Sequence, residues 1–161
     1  MSFEDRLQKA VARGKRRSEE EKSKAKARAL TEEELKRLHS TYRLQLSEHI
    51  ESCIKQLPSF FPGFRVETIF GDRGWGAACS RDDVRVAAGK RQQNEYSRLE
   101  LTVRPASSMH VLELTGKGTI RNKEVYSRNF FQKLEDVDLD EFMHLVDVWV
   151  LEYAELFAAK S

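Results

Sequence analysis

Leu35, Leu38, Tyr42, Leu46, His49, Ile50, Cys53, Ile54 and Leu57 return every three or four positions and fall on one face of a helix. Just before them, Thr31 with Glu34 forms a capping box and Leu30 with Leu35 a hydrophobic staple, so the pattern sets the helix start at Thr31. Pro58, which cannot continue a helix, sets its end. The same grammar recurs at Asp138–Glu141 and Val137–Phe142. From there Phe142, Met143, Val146, Trp149, Val150, Tyr153 and Ala154 share one face as far as Phe157, and Val148, Leu151 and Leu156 widen it. An arc this broad predicts a largely buried helix.

Between the helices the pattern alternates, as in strands whose side chains point to opposite faces. The segments are 64–70, one within 75–88, 96–104, 109–120 and 124–132, with a turn at 121–123. Pro62-Gly63, Gly71 and Pro105 break the runs. In the third segment Ser97, Leu99, Leu101 and Val103 point to a core, and Tyr96, Arg98, Glu100, Thr102 and Arg104 point away. If the last strand keeps a regular phase, Tyr126 and Arg128 join that outward face, with Arg65 from the first strand. Short connections favour neighbouring antiparallel strands. The expected fold is α+β: an antiparallel four- to five-stranded meander with an N-terminal and a C-terminal long helix packed on one sheet face.

Residues 1–29 differ from the rest, and the expected division is a flexible charged arm over 1–29 and a single α+β domain over 30–161. Phe3, Leu7, Ala10 and Val11 recur at helical spacing behind Ser2, a candidate N-cap. After Gly14 the only apolar residue type through 29 is alanine, and Glu20–Lys24 has the favourable i,i+4 order, so the arm is expected to be transiently helical. No run of about 18 apolar residues occurs, and the N-terminus lacks the apolar stretch of a secretory leader. Two cysteines, Cys53 and Cys79, are too few for a disulfide scaffold, so a reduced, cytoplasmic setting is expected.

Charge is unevenly spread under a net +2: residues 1–28 carry 10 Lys/Arg against 5 Asp/Glu, and residues 135–161 carry 1 against 8. Nine of the 13 basic residues between 58 and 134 are arginines. With Tyr96 and Tyr126 these suggest a single-stranded nucleic-acid platform. Glu67, Glu100, Glu113 and Glu124 in the same strands favour the simpler account of cross-strand Arg–Glu pairs in solvent. The glycine-rich loop around Trp75 matches no phosphate-binding motif and is read as a turn that folds its tryptophan onto the core. The glycines of TGKGT (115–119) are read as a bulge or bend.

No nucleophile is marked by its neighbours, and no catalytic set is assigned. His49 and Cys53 stand i,i+4 and can point at one ion. A zinc site needs two more ligands, Cys79 is the sole further thiol, and packed residues are the simpler account. His144 and Asp147, i,i+3, form a candidate surface pair. No cofactor or metal is expected. The functional expectation is a non-enzymatic protein-interaction or adaptor module, homodimerisation included, with no membrane partner. Its candidate surface comprises Phe3, Leu7, Val11, Trp75, Tyr96, Arg98, Arg104, Tyr126 and Arg128. The alternatives are a nucleic-acid-binding domain using the arm and sheet face, and a small-molecule site or enzyme between sheet and helices.

Overall fold

A computed structural model describes residues 2–86, 89 and 92–160, at 27–31 and 85 the backbone alone. The chain forms two compact units, Met1–Arg37 and Leu38–Ser161. The first is helical from Phe3, where Ser2 Oγ accepts from the Asp5 N–H as an N-cap does. Its side chains over residues 2–26 are exposed, Phe3, Leu7 and Val11 included.

Helix α1 runs Phe3–Ile54, so no helix begins at Thr31. The Lys, Arg, Glu and Ala residues of 15–29 are strong helix formers, and a capping signature does not stop the preceding residues from being helical. The side-chain pairings of Thr31 and Leu30 fall outside the described residues. At the other end α1 closes at Ile54, and Pro58 opens the four-residue helix α2, Leu57–Phe60, by occupying its first turn.

Strands β1 (Arg65–Ile69), β2 (Trp75–Arg85), β3 (Gln93–Val103), β4 (Val111–Ile120) and β5 (Lys123–Lys133) form one antiparallel sheet in sequence order, the expected meander. Residues 87 and 88 of the second predicted segment lie outside the described residues. The β4–β5 turn is Arg121-Asn122, both with positive φ (49° and 68°), the conformation a two-residue hairpin requires. Asn122 holds it by donating to Asn94 O and accepting from the Tyr96 N–H. A short 3₁₀ turn, Leu134–Asp136, leads into α3, Leu139–Lys160. There Asp138 Oδ1 accepts from the Glu141 N–H as expected. The return half of the box is replaced by Gln132, whose side chain accepts from the Asp138 N–H and donates to Glu141.

Cys79, Leu99, Leu101, Val103, Leu112 and Leu114 are all buried and share one sheet face. Within Leu38–Ser161 both long helices meet that face. From α1, Glu51 accepts from Thr68 Oγ1 and the Arg43 guanidinium lies 4.2 Å over the Trp75 ring. His39 Nε2 donates to Arg104 O at 3.1 Å, since a carbonyl only accepts. From α3, Tyr153 OH donates to Thr119 O, the Tyr126 OH reaches Trp149 O, and Phe142 stacks edge-on against Phe130.

Helix α3 approaches the sheet closely at two glycines of β4. A Cβ at Gly116 would sit 2.8 Å from Trp149 Cε3, and one at Gly118 would sit 3.1 Å from both Tyr126 Cε1 and Tyr153 Cδ2. A side chain at Gly116 would force the Trp149 ring to shift, and one at Gly118 would crowd Tyr126 and Tyr153. The expected bulge exists, as a register shift between Gly118 and Thr119, and it corrects the predicted outward face. Ile120 pairs with Lys123 and Thr119 with Glu124, but Gly118 pairs with Tyr126 rather than Val125. That extra residue reverses the phase of the rest of β5. Tyr126 and Arg128 therefore stand opposite Gly118 and Gly116 on the helix-covered face, Tyr126 at 7% exposure.

Gly116→Ala is expected to lower stability by about 1–3 kcal/mol, the usual cost of overpacking a filled core. Urea unfolding measures it, and an unchanged midpoint would mean that α3 does not depend on this approach. A second expectation concerns pH. Burial holds the His39 pKa below its ordinary 6.5, helped by the nearby Arg43 charge against the opposing pull of its bond to Arg104 O. A lowered folded pKa gives stability that is complete above the unfolded value and is lost as pH falls through the folded one. Urea midpoints of the wild type should drop between about pH 7.5 and pH 5, and drop less in His39→Gln.

Candidate functional site

Helical spacing brings together residues far apart in sequence. His49 and Cys53 lie one turn apart near the end of α1, and Asp147, Leu151 and Ala154 follow one another along α3. Where the two rows meet, Asp147 Oδ1 lies 2.7 Å from His49 Nε2 and 3.4 Å from Cys53 Sγ, and Sγ lies 3.6 Å from Nε2. A carboxylate only accepts, so Nε2 carries a hydrogen and donates it, and the thiol donates to the same oxygen. All three residues are half-buried.

The arrangement is not a nucleophilic relay. A relay places base and orienting acid on opposite ring nitrogens, so that the imidazole can pass a proton. Here thiol and carboxylate converge on the one nitrogen Nε2. Burial pushes the Cys53 thiol up to about 11, with the hydrogen bond to Asp147 and its negative charge adding to the shift. Cys53 is therefore a protonated thiol at neutral pH, with no base drawing its proton away. What the cluster offers is three convergent ligand atoms of different softness, all within 4.8 Å of one another. It is the single such group among the described residues.

Beside the cluster is a groove of about 440 Å³ between the end of α1, α2 and α3. Cys53 and Asp147 belong to its lining, and Leu57, Phe60, Phe61, Val150, Leu151 and Ala154 form most of the rest. Phe60 is 76% exposed and Leu151 67%. The wide apolar arc of α3 is therefore only partly buried: Val148 and Leu151 stay in solvent while Phe142, Val146, Trp149, Val150, Tyr153 and Phe157 enter the core.

The residues singled out in the sequence do not form one surface. Tyr96, Arg98 and Arg104 keep the uncovered sheet face. There Arg98 Nη2 donates to Glu67 at 2.6 Å and to Glu100 at 3.1 Å, and Arg73 lies 3.7 Å from Glu100, the Arg–Glu ladder of the simpler account. A shallow concavity of about 410 Å³ on this face mixes Arg73, Arg104 and Lys117 with Glu100 and Glu113. Tyr126 and Arg128 are on the other face, and Arg128 donates to Glu152 of α3 at 2.8 Å. Trp75 is half-buried beneath Arg43, and Phe3, Leu7 and Val11 belong to the first unit.

Two participants, Asp147 and Phe60, were not legible, and one candidate ligand, Cys79, stands elsewhere. Asp147 bonds His49, 98 residues away, rather than its helix neighbour His144, which is exposed. Cys79 is buried on β2, its thiol raised to about 12 chiefly by burial, and is not part of the cluster. Phe60 closes the four-residue helix α2, too short for any periodicity to mark a function.

No protein-family model, curated protein or solved structure matches this chain. Among the described residues no helix is long and apolar enough to cross a membrane.

Asp147→Asn is expected to speed thiol alkylation at Cys53 several-fold at about pH 8, because loss of the negative charge lowers the thiol pKa and raises the thiolate fraction. Peptide-resolved alkylation measures this, with Cys79 silent in both proteins. Equal rates would show that Asp147 does not hold the thiol.

Proposed function

We propose that Leu38–Ser161 is a non-enzymatic protein-interaction module whose contact surface is the groove between α1, α2 and α3. The observation that carries this reading is the pair of exposed large side chains, Phe60 and Leu151, flanking a largely apolar concavity. A groove of this size takes the side chains of an amphipathic helical segment, the helix-in-groove mode of recognition. A basic segment is favoured, because Asp147 is the one charged residue in the lining and the segment 135–161 that contains α3 carries 8 acidic residues against 1 basic. The exposed Phe3, Leu7 and Val11 supply a second contact element on the first unit. The same surfaces serve a second copy of the chain or a different protein.

The test is residue-specific photo-crosslinking in the cells that make the protein, with the reactive side chain at Phe60 or Leu151 and, as control, at exposed Asn129 on the uncovered sheet face. Light scattering of the purified chain separates a homodimer from a foreign partner. A discrete adduct from both groove positions and none from Asn129 supports the reading. So does its loss in Phe60→Ser with Leu151→Ser, a pair expected to shift stability by less than about 1 kcal/mol because both side chains are exposed. Equal labelling at all three positions, or an adduct that survives the double substitution, overturns it.

A further inference from the structure

We propose that His49, Cys53 and Asp147 form a zinc site that staples α1 to α3, with His49 Nε2, Cys53 Sγ and one Asp147 carboxylate oxygen as ligands and water in the fourth position. Zinc bonds of about 2.3 Å to sulfur and about 2.0–2.2 Å to nitrogen and oxygen, at tetrahedral angles, separate the ligand atoms by about 3.3–3.6 Å. The sulfur here is already 3.6 Å from Nε2 and 3.4 Å from Oδ1. Only the 2.7 Å contact between Nε2 and Oδ1 has to open, which a small rotation of the Asp147 carboxylate achieves.

Charge and softness point the same way. A thiolate and a carboxylate together neutralise a divalent ion, so the loaded cluster adds no net charge to a half-buried setting. Thiolate and imidazole suit zinc and discriminate against magnesium and calcium, which take oxygen ligands. The spacing of His49 and Cys53 fixes two ligands on one helix turn, and Asp147 comes from the facing helix. Proton balance is simple: the thiol hydrogen now donated to Asp147 Oδ1 leaves to solvent as the Zn–S bond forms. The neutral imidazole changes tautomer, its hydrogen passing by way of solvent from Nε2 to Nδ1, so that the Nε2 lone pair forms the Zn–N bond and one proton is released per ion bound. No oxidant or reductant is involved.

The test uses the full chain without an affinity tag, stripped with a chelator. It is titrated with zinc by calorimetry and with cobalt(II) as a spectroscopic probe. The expected result is one ion per chain, with a thiolate-to-cobalt charge-transfer band in the near ultraviolet and the strong visible bands of tetrahedral cobalt. Cys79→Ser should keep the band, Cys53→Ser should abolish it, and Asp147→Asn should weaken binding about tenfold or more. Zinc should raise the melting temperature of the wild type and leave that of Cys53→Ser unchanged. Cobalt bound without the thiolate band, a band lost in Cys79→Ser, or no binding at about tenfold molar excess of metal overturns the proposal. The wild-type and Cys79→Ser spectra decide the matter even if Cys53→Ser fails to fold.

Discussion

The contact of α3 with the two glycines of β4 organises the rest of the unit. Gly116 and Gly118 leave bare backbone on the covered face, and Trp149 and Tyr153 fill the space where Cβ atoms would stand. Two tyrosine hydroxyls then lock the approach, Tyr126 against the Trp149 carbonyl and Tyr153 against that of Thr119. One bond is anchored in the sheet and reaches the helix, and the other runs the opposite way, so neither element can slide without losing a buried partner. The rotation of α3 that follows sets everything on its other faces. Asp147 precedes Trp149 by two residues, about 200° around the helix, so that when Trp149 meets the sheet Asp147 is turned away from it and toward α1.

What could be read in the sequence divides along local and non-local lines. Periodicity placed all five strands, the inward set of β3 and the C-terminal helix, because each rests on a pattern within one segment. The phase of β5 was a different matter. Alternation read without a bulge puts Tyr126 opposite Lys117, on the open face; the extra residue after Glu124 moves it opposite Gly118. The glycines that mark the bulge were visible, but the partner strand on which the residue would be inserted was not. The start of α1 failed for a related reason: the capping signature at Thr31 is local and correctly spaced, yet the helix-forming residues before it carry the helix back to Phe3.

The cluster shows the same limit from the functional side. His49 and Cys53 share a helix face in the sequence, and for the two further ligands of a zinc site the sequence offers one other thiol, Cys79. The third ligand atom comes instead from a carboxylate that the sequence had assigned to His144. An i,i+3 pair is always available as a local explanation for a helix histidine and aspartate, so nothing in the sequence could choose between it and a partner 98 residues distant. Only the docking of α3 makes that choice. The exposed Leu151 is a similar case: a wide apolar arc predicts burial, but the sheet covers only the face centred on Val146, Trp149 and Tyr153, and the groove side is left over.

Groove and cluster share α3, and their energetics differ in a way that bears on how each is used. Without an ion the thiol and the imidazole both already donate to Asp147 Oδ1, and no buried side-chain nitrogen or oxygen among the described residues is left without a hydrogen bond. The unit also has a core of its own, so an ion bound here would add to stability rather than create it, unlike the small domains that are unfolded without zinc. The groove has no such internal compensation. Phe60 and Leu151 keep large apolar areas in water, and covering them is favourable in proportion to that area. A partner seated there would also cover the side of the cluster formed by Cys53 and Asp147, because both line the groove. Occupying the groove would then shield the proposed metal from solvent and slow its release, and a bound ion would hold α1 and α3 at the spacing the partner meets. Such coupling must act equally in both directions, since each ligand favours the same packed arrangement of the two helices.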